Sequence, residues 1–249
     1  MPLLTQIVDH LDRLLAIGDF RDYGPNGLQV PGAQQIQTLV TGVSANGPLI
    51  DAAVSKGADL VLVHHGLYWR GDPQEITPIL HRRLKPLFLN DVALAAYHLP
   101  LDAHPEHGNN ALLARALGGQ DPQPFAEIGI RVTFPGEGID IDELAARAAT
   151  AVGGRAPLVV AAGPPRIRTL GVVTGAATDH ITDAIALGLD AFLTGEPAER
   201  GFSIATDAGI HFVAAGHHAT ETFGVKALGE LLAAEFGVTH HFVDVENPI

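Results

Sequence analysis

The residues of this sequence best suited to chemistry are His64, His65, Asp102, His217 and Glu221. The chain has no cysteine, so any bound metal must be held by imidazole and carboxylate, the donors of Zn, Fe, Mn, Ni or Co. His64 and His65 directly follow the apolar run Asp59-Leu60-Val61-Leu62-Val63, which delivers two imidazoles to a strand end. Neighbouring strand residues face opposite ways. Both therefore serve one pocket only if the chain turns at His64, which Gly66 eases, or if they address two ions; otherwise one packs in the core. His217 and Glu221 are four apart where a strand runs through Gly216 into a helix, so they share the first-turn face. In the alternative reading Glu221 answers the helix dipole, His217 caps the turn, and His218 points elsewhere. Asp102 lies in His98-Leu99-Pro100-Leu101-Asp102, after a third strand. Alone it reads as a turn former; with the other four it completes a donor set for two divalent ions, with Glu221 as the bridge.

The elements that position these residues follow from periodicity. Leu4, Ile7, Val8, Leu11, Leu14 and Leu15 recur at helical spacing, and residues 18–27 read as loop. A strand over 38–43, a helix over 48–55 and a strand over 59–63 form a βαβ unit. A helix over 76–89, a strand over 92–97, a loop rich in His and Pro and a helix over 110–117 complete a first half, residues 1–120, carrying His64, His65 and Asp102. Residues 121–165 read as a linking or insertion region, with a strand over 128–134 and a helix over 141–152. The second half, 166–249, carries His217 and Glu221. It alternates strands at 170–173, 191–193, 211–215 and 241–243 with helices at 181–186, 201–207 and 220–236.

The halves resemble each other. Val40-Thr41-Gly42, Asp51-Ala52 and Gly57-Ala58-Asp59 reappear as Val173-Thr174-Gly175, Asp183-Ala184 and Gly188-Leu189-Asp190. In that register His65 corresponds to Glu196, so each half ends its second strand on a polar group, where open α/β sheets place ligands. The expected fold is α/β: two related βαβ-containing halves with largely parallel or mixed sheets flanked by helices, packed as one unit around a dinuclear metal site.

Composition removes several classes. With 47% hydrophobic and 17% charged residues the chain can bury a core. A net charge of −13, with Lys and Arg scattered, offers no stripe for a phosphate backbone. No run approaches the roughly 20 apolar residues of a membrane span. The first residues read as an amphipathic helix rather than a signal peptide, so a cytoplasmic location is expected. There is neither a phosphate-binding Gly-x-x-x-x-Gly-Lys-Ser/Thr loop nor a Gly-x-Ser-x-Gly elbow.

Around the donors, Asn26-Gly27-Leu28-Gln29-Val30, Val63-His64-His65-Gly66-Leu67, Tyr97-His98-Leu99-Pro100-Leu101-Asp102-Ala103-His104 with Gly108-Asn109-Asn110, Thr194-Gly195-Glu196 and Gly216-His217-His218-Ala219-Thr220-Glu221 resemble the Nif-three-like dinuclear-metal family. The resemblance is to its bacterial YbgI-type branch, often labelled GTP cyclohydrolase I type 2 homolog, and spans nearly the whole chain. It implies that His64, His65, Asp102, His217 and Glu221 bind two metal ions, and that the protein assembles as a homohexameric ring with its sites facing an interior cavity.

The expected activity is metal-dependent hydrolysis of a small molecule, with Glu196 or His98 as proton acceptor and Tyr68, Trp69 and Arg70 near the mouth. The alternatives are a GTP cyclohydrolase-like activity and a non-enzymatic metal chaperone or regulatory ring. His104, His107, His240 and His241 read as solvated loop or edge residues.

Overall fold

The computed structural model describes residues 1–249. Its elements run α1 Leu4–Leu14, β1 Gly27–Val30, β2 Thr38–Ser44, α2 Gly47–Ser55, β3 Leu60–His65, α3 Pro78–Leu89, β4 Ala93–Ala96, α4 Leu99–Ala103, α5 Asn109–Ala116, β5 Gln120–Phe125, β6 Gly129–Thr133, α6 Ile141–Ala151, β7 Leu158–Val160, β8 Thr169–Val173, α7 Ile181–Ala186, β9 Ala191–Thr194, α8 Glu199–Ala208, β10 His211–Ala214, α9 His217–Thr220, α10 Thr222–Phe236 and β11 Thr239–Phe242. The starts of the longer helices are written in the sequence. Asn46 accepts from Leu49 N at α2, Thr77 caps α3 ahead of Pro78, and Asp140 accepts from Glu143 N at α6.

Two compact units result. Unit 1 is Met1–Leu101 with Gly224–Glu246, and unit 2 is Asp102–Phe223 with Asn247–Ile249. In unit 1 a five-stranded sheet runs β1-β4-β3-β2-β11, with β1 antiparallel and the other neighbours parallel. In unit 2 a six-stranded sheet runs β5-β6-β8-β9-β10-β7, with β8, β9 and β10 parallel.

Parallel strands are covered on both faces, so their residues alternate between two cores rather than between core and water. In unit 1, Leu39, Leu60, Leu62 and Ala95 pack with α1 and with Val225, Leu228 and Leu232 of α10. Val40, Val61, Val63 and Leu94 pack with Leu49, Ile50 and Ala53 of α2 and Leu84 and Leu87 of α3. Unit 2 repeats the scheme. Leu170, Val172, Leu193 and Val213 meet α5 and α6, while Val173, Phe192 and Phe212 meet α7 and α8.

The repeat seen in the sequence is structural. β2-α2-β3-α3-β4 matches β8-α7-β9-α8-β10, and in each unit an antiparallel strand that precedes the repeat, β1 or β7, lies beside its third strand. The paired aspartates do the same work on the backbone, Asp190 Oδ2 also accepting from Thr169 Oγ1. Asp59 Oδ2 accepts from Gln37 N and Thr38 N, both at 2.8 Å; Asp190 Oδ2 accepts from Arg168 N and Thr169 N, both at 2.9 Å. Each carboxylate pins the entry of the first strand from the entry of the second.

The boundaries lie elsewhere than 1–120, 121–165 and 166–249. Residues 121–165 are no bare connection, because β5, β6, α6 and β7 build unit 2. β5 holds Pro122 and Pro124, which disguise a strand but are tolerated at a sheet edge. Asp102 belongs to unit 2, and α10 and β11 return the chain to unit 1. No helix is long and apolar enough to cross a membrane.

Candidate metal centre

In both units the polar residues gather just beyond the carboxyl ends of the parallel strands. In unit 1, β3 does not turn at His64 but continues through His65, paired Ser44 to His65. The two rings nevertheless lie with centroids 4.7 Å apart. His98 follows β4, with centroids 4.9 Å from His64 and 5.5 Å from His65. One ligand nitrogen from each of these three histidines lies within 4.8 Å of the others.

Each ring is fixed through Nδ1. His64 Nδ1 bonds the Tyr97 carbonyl at 2.9 Å, His65 Nδ1 the Ser44 hydroxyl at 3.0 Å, and His98 Nδ1 Asp22 Oδ1 at 2.7 Å. An imidazole anchored at Nδ1 by an oxygen presents Nε2 as its coordinating nitrogen, the usual arrangement of metal-ligating histidines.

Asp22 and Asn26 were not among the sequence candidates, although both lie in the loop that carries Asn26-Gly27-Leu28. The Asp22 side chain is 3% exposed. It also accepts from Asn26 Nδ2, Leu99 N and Tyr23 N, and Asn26 Oδ1 accepts from His98 N. Burial alone would raise its pKa, but the bonds from His98 and Asn26, the His98 charge and the Tyr23 N–H outweigh it and hold the pKa at about 2. Trp69, the only tryptophan, lies 5.7 Å from His65 and 5.1 Å from His98 between ring centroids.

In unit 2, Asp102 sits in α4, not in a loop. Pro100 falls in that helix's first turn, where a missing N–H breaks no helical bond. Asp102 is buried, and its Oδ1 accepts from Asn109 Nδ2 at 2.8 Å and Thr174 Oγ1 at 3.2 Å. Asn110 holds the neighbouring backbone, donating to Asp102 O and Ile128 O and accepting from Thr174 N.

The helix expected over 220–236 is α10, starting two residues later, and a separate short α9 precedes it. α9 ends at Thr220, and α10 begins at Thr222. His217 Nε2 lies 3.2 Å from the buried Glu221 Oε1, and its Nδ1 lies 2.8 Å from Glu196 Oε2. Burial works against a charged His217, yet Glu221 and then Glu196 outweigh it by bond and charge and raise its pKa to about 9. A cation binding there displaces a proton at neutral pH. Gly175, φ +68°, stands where a Cβ would collide with Glu221 Oε1. Only a residue without a side chain leaves that carboxylate its place.

The other histidines divide. His218 is buried, with its N–H on the Ile249 carbonyl. His104 caps a turn by accepting from Glu106 N and His107 N, and His240 bonds the Thr41 hydroxyl at 2.8 Å, so neither is merely solvated. His241 is exposed. Tyr68 and Trp69 are half-buried, whereas Arg70 is exposed and donates to the Asp22 carbonyl.

A fold of two sheets flanked by helices, with His, Asp and Glu groups able to hold a divalent ion, defines a class, and the comparisons agree with it. The chain belongs to the Duf34/NIF3 (NGG1p interacting factor 3) family, whose pattern matches residues 2–248. It is 46% identical over 253 residues to the Pseudomonas aeruginosa protein named GTP cyclohydrolase 1 type 2 homolog, with 98% of each chain covered. The solved structure of the protein ybgI is 40% identical with a TM-score of 0.95, and a structure from Thermus thermophilus is 36% identical with a TM-score of 0.92; both matches cover 100% of each chain. The family read from the sequence is the family to which the chain belongs.

Proposed function

We propose that the protein is a metal-dependent hydrolase of a small-molecule substrate. Its ligands to two divalent ions are His64, His65, Asp102, His217 and Glu221, with Glu221 as the bridging carboxylate. The observation that carries this reading is that His64, His65 and His217 are each fixed at Nδ1 by an oxygen, from Tyr97, Ser44 and Glu196, as coordinating imidazoles are. The buried carboxylates Asp102 and Glu221 support it as the anionic oxygen donors that such a site needs. Bound ions would supply Lewis acidity and lower the pKa of a water.

The chain's own residues would do the rest. Glu196 orients His217 and, with its side chain 43% exposed, would take up a proton from solvent-borne reactants. His98, held at Nδ1 by Asp22, has Nε2 for any role of its own. Zn, Fe, Mn, Ni and Co all suit the donors. The protein is proposed to act as a homohexameric ring in the cytoplasm, and light scattering at six times the chain mass would support the ring.

Metal content per chain, followed by a screen of phosphoester, amide and nucleotide hydrolysis with the metal-loaded chain, tests the reading. Two ions and a turnover that vanishes on chelation are expected, with Glu221→Gln losing at least about 100-fold in rate. Two ions without turnover on any substrate would favour metal delivery or regulation, and no bound metal would overturn the site. The relatives' name raises GTP as substrate. A net charge of −13 and the lack of a phosphate-binding loop speak against it, and absent formate release from GTP would remove it.

A further inference from the structure

α3 is apolar on two faces. Leu80, Leu84 and Leu87, four and three apart, pack into the unit 1 core with α2, as one buried stripe requires. Ile79, Arg82, Pro86 and Leu89, at spacings of three and four, share the opposite face. Ile79 is 66% exposed and Leu89 74%, and the exposed Ile76 and Phe88 flank them. Single surface leucines are ordinary, but four large apolar side chains within residues 76–89 make a patch. A helix with apolar residues on both faces is built to be covered on both.

The charge of this stretch is as unusual as its hydropathy. Residues 76–89 hold Arg82, Arg83 and Lys85 and no Asp or Glu, in a chain whose net charge is −13. The ion pairs made by arginine lie elsewhere, at Arg147, Arg166 and Arg200 of unit 2. α3 therefore keeps its cations unneutralised.

We infer that α3, with Ile76, is an interface to a second copy of this chain, a basic and apolar surface that meets an acidic one on its neighbour. The inference rests on the ring proposed above and names a surface that builds it. The occupant follows from charge. Membranes and nucleic acids are anionic throughout, and a molecule of −13 is repelled by both even where one helix attracts them. A second copy offers what α3 lacks, because outside residues 76–89 the chain is more acidic still. The copies do not meet α3 to α3, since a two-fold contact would set Arg82 and Lys85 against their own counterparts, and like charges across an interface are penalised. The contact is heterologous, one surface of each copy on a different surface of the next, which is the arrangement that closes into rings.

The test follows the full-length chain by analytical ultracentrifugation over a range of concentrations. Arg82→Glu combined with Lys85→Glu should weaken self-association by about 100-fold or more, with the circular dichroism spectrum unchanged because both side chains are exposed. Ile79→Ser combined with Leu89→Ser repeats the measurement through the apolar part. The chain has no cysteine, so Leu89→Cys introduces its only thiol and gives a readout that does not depend on breaking the contact. That thiol should react slowly with a maleimide in the assembly and fast on dilution, and should form no disulfide between copies.

Unchanged mass in both double variants, with a thiol equally reactive at every concentration, would overturn the inference and leave the ring to another surface. A disulfide-linked dimer of Leu89→Cys would place α3 on α3 and overturn the heterologous contact. Pelleting of the chain with phosphatidylserine vesicles, lost in Arg82→Glu with Lys85→Glu, would give the helix to a membrane instead. A wild type of closed mass other than six chains, with the thiol protected, removes the hexamer and keeps α3 as the contact, whereas a wild type that stays a single chain at every concentration removes both.

Discussion

At the scale of single residues, Asp22 makes a prediction that needs no metal. Its pKa is about 2 in the folded chain against an ordinary 3.8, so the carboxylate stabilises the fold fully above about pH 4. That contribution drains as the pH falls toward 2. The shift corresponds to about 2 kcal/mol. Acid unfolding followed by circular dichroism should show this limb in the wild type and lose it in Asp22→Asn, which should also be less stable at pH 7 by a similar amount.

Trp69 serves a second test. As the only tryptophan and a neighbour of both His65 and His98, it should lose fluorescence when Co(II) binds, with Mg(II) leaving it unchanged; no quenching would place the ion elsewhere. Gly175→Ala should displace Glu221, because a Cβ cannot occupy its position. Metal content would then fall, and the melting temperature with it, because φ +68° strains any residue that carries a Cβ.

At the scale of elements, the matched aspartates should behave alike. Asp59→Ala and Asp190→Ala each abandon two backbone N–H groups, and each should cost about 2 kcal/mol in urea unfolding. A large inequality would deny that the two carboxylates do the same work. The βαβ repeats were legible because buried parallel strands leave unbroken apolar runs, and in unit 1 α2 and α3 also carry side-chain caps. β2, β3 and β8 lie within two residues of their expected ends, and α7 matches its expected range.

What escaped the sequence were elements whose signal comes from the sheet edge rather than from pattern. β1 is four residues long, β5 is polar with two prolines, and β7 is a three-residue edge. The proposed ligands were legible as residue types at strand ends. Their anchors were not: Asp22 reaches His98 across 76 positions, and Tyr97 O reaches His64 across 33. Separations of that length leave no periodic trace.

At the scale of the molecule, each unit has its own pair of cores, so core truncations should act locally. Leu232→Ala removes a fully buried side chain of α10 from the unit 1 core and should cost about 2–5 kcal/mol. Hydrogen exchange should report it as lost protection in β2 and β3, whereas Leu193→Ala should deprotect β8 and β9. Spreading of either effect evenly over all four strands would contradict the separate cores.

The order in which the chain emerges during synthesis gives the return of α10 and β11 to unit 1 a different meaning. Nearly all of unit 2 is made as one uninterrupted stretch, 102–223, and can close before residues 224–246 exist. Unit 1 is started before that stretch and completed only by residues 224–246, after it. Until residues 224–246 leave the ribosome, the outer edge of β2 has no β11 to pair with, and Leu39, Leu60 and Leu62 lack the side chains of α10. A nascent chain therefore exposes an open parallel edge and a bare apolar face for the whole time unit 2 is being made. That is the interval in which a chaperone has most to cover and a truncated product is most prone to aggregate.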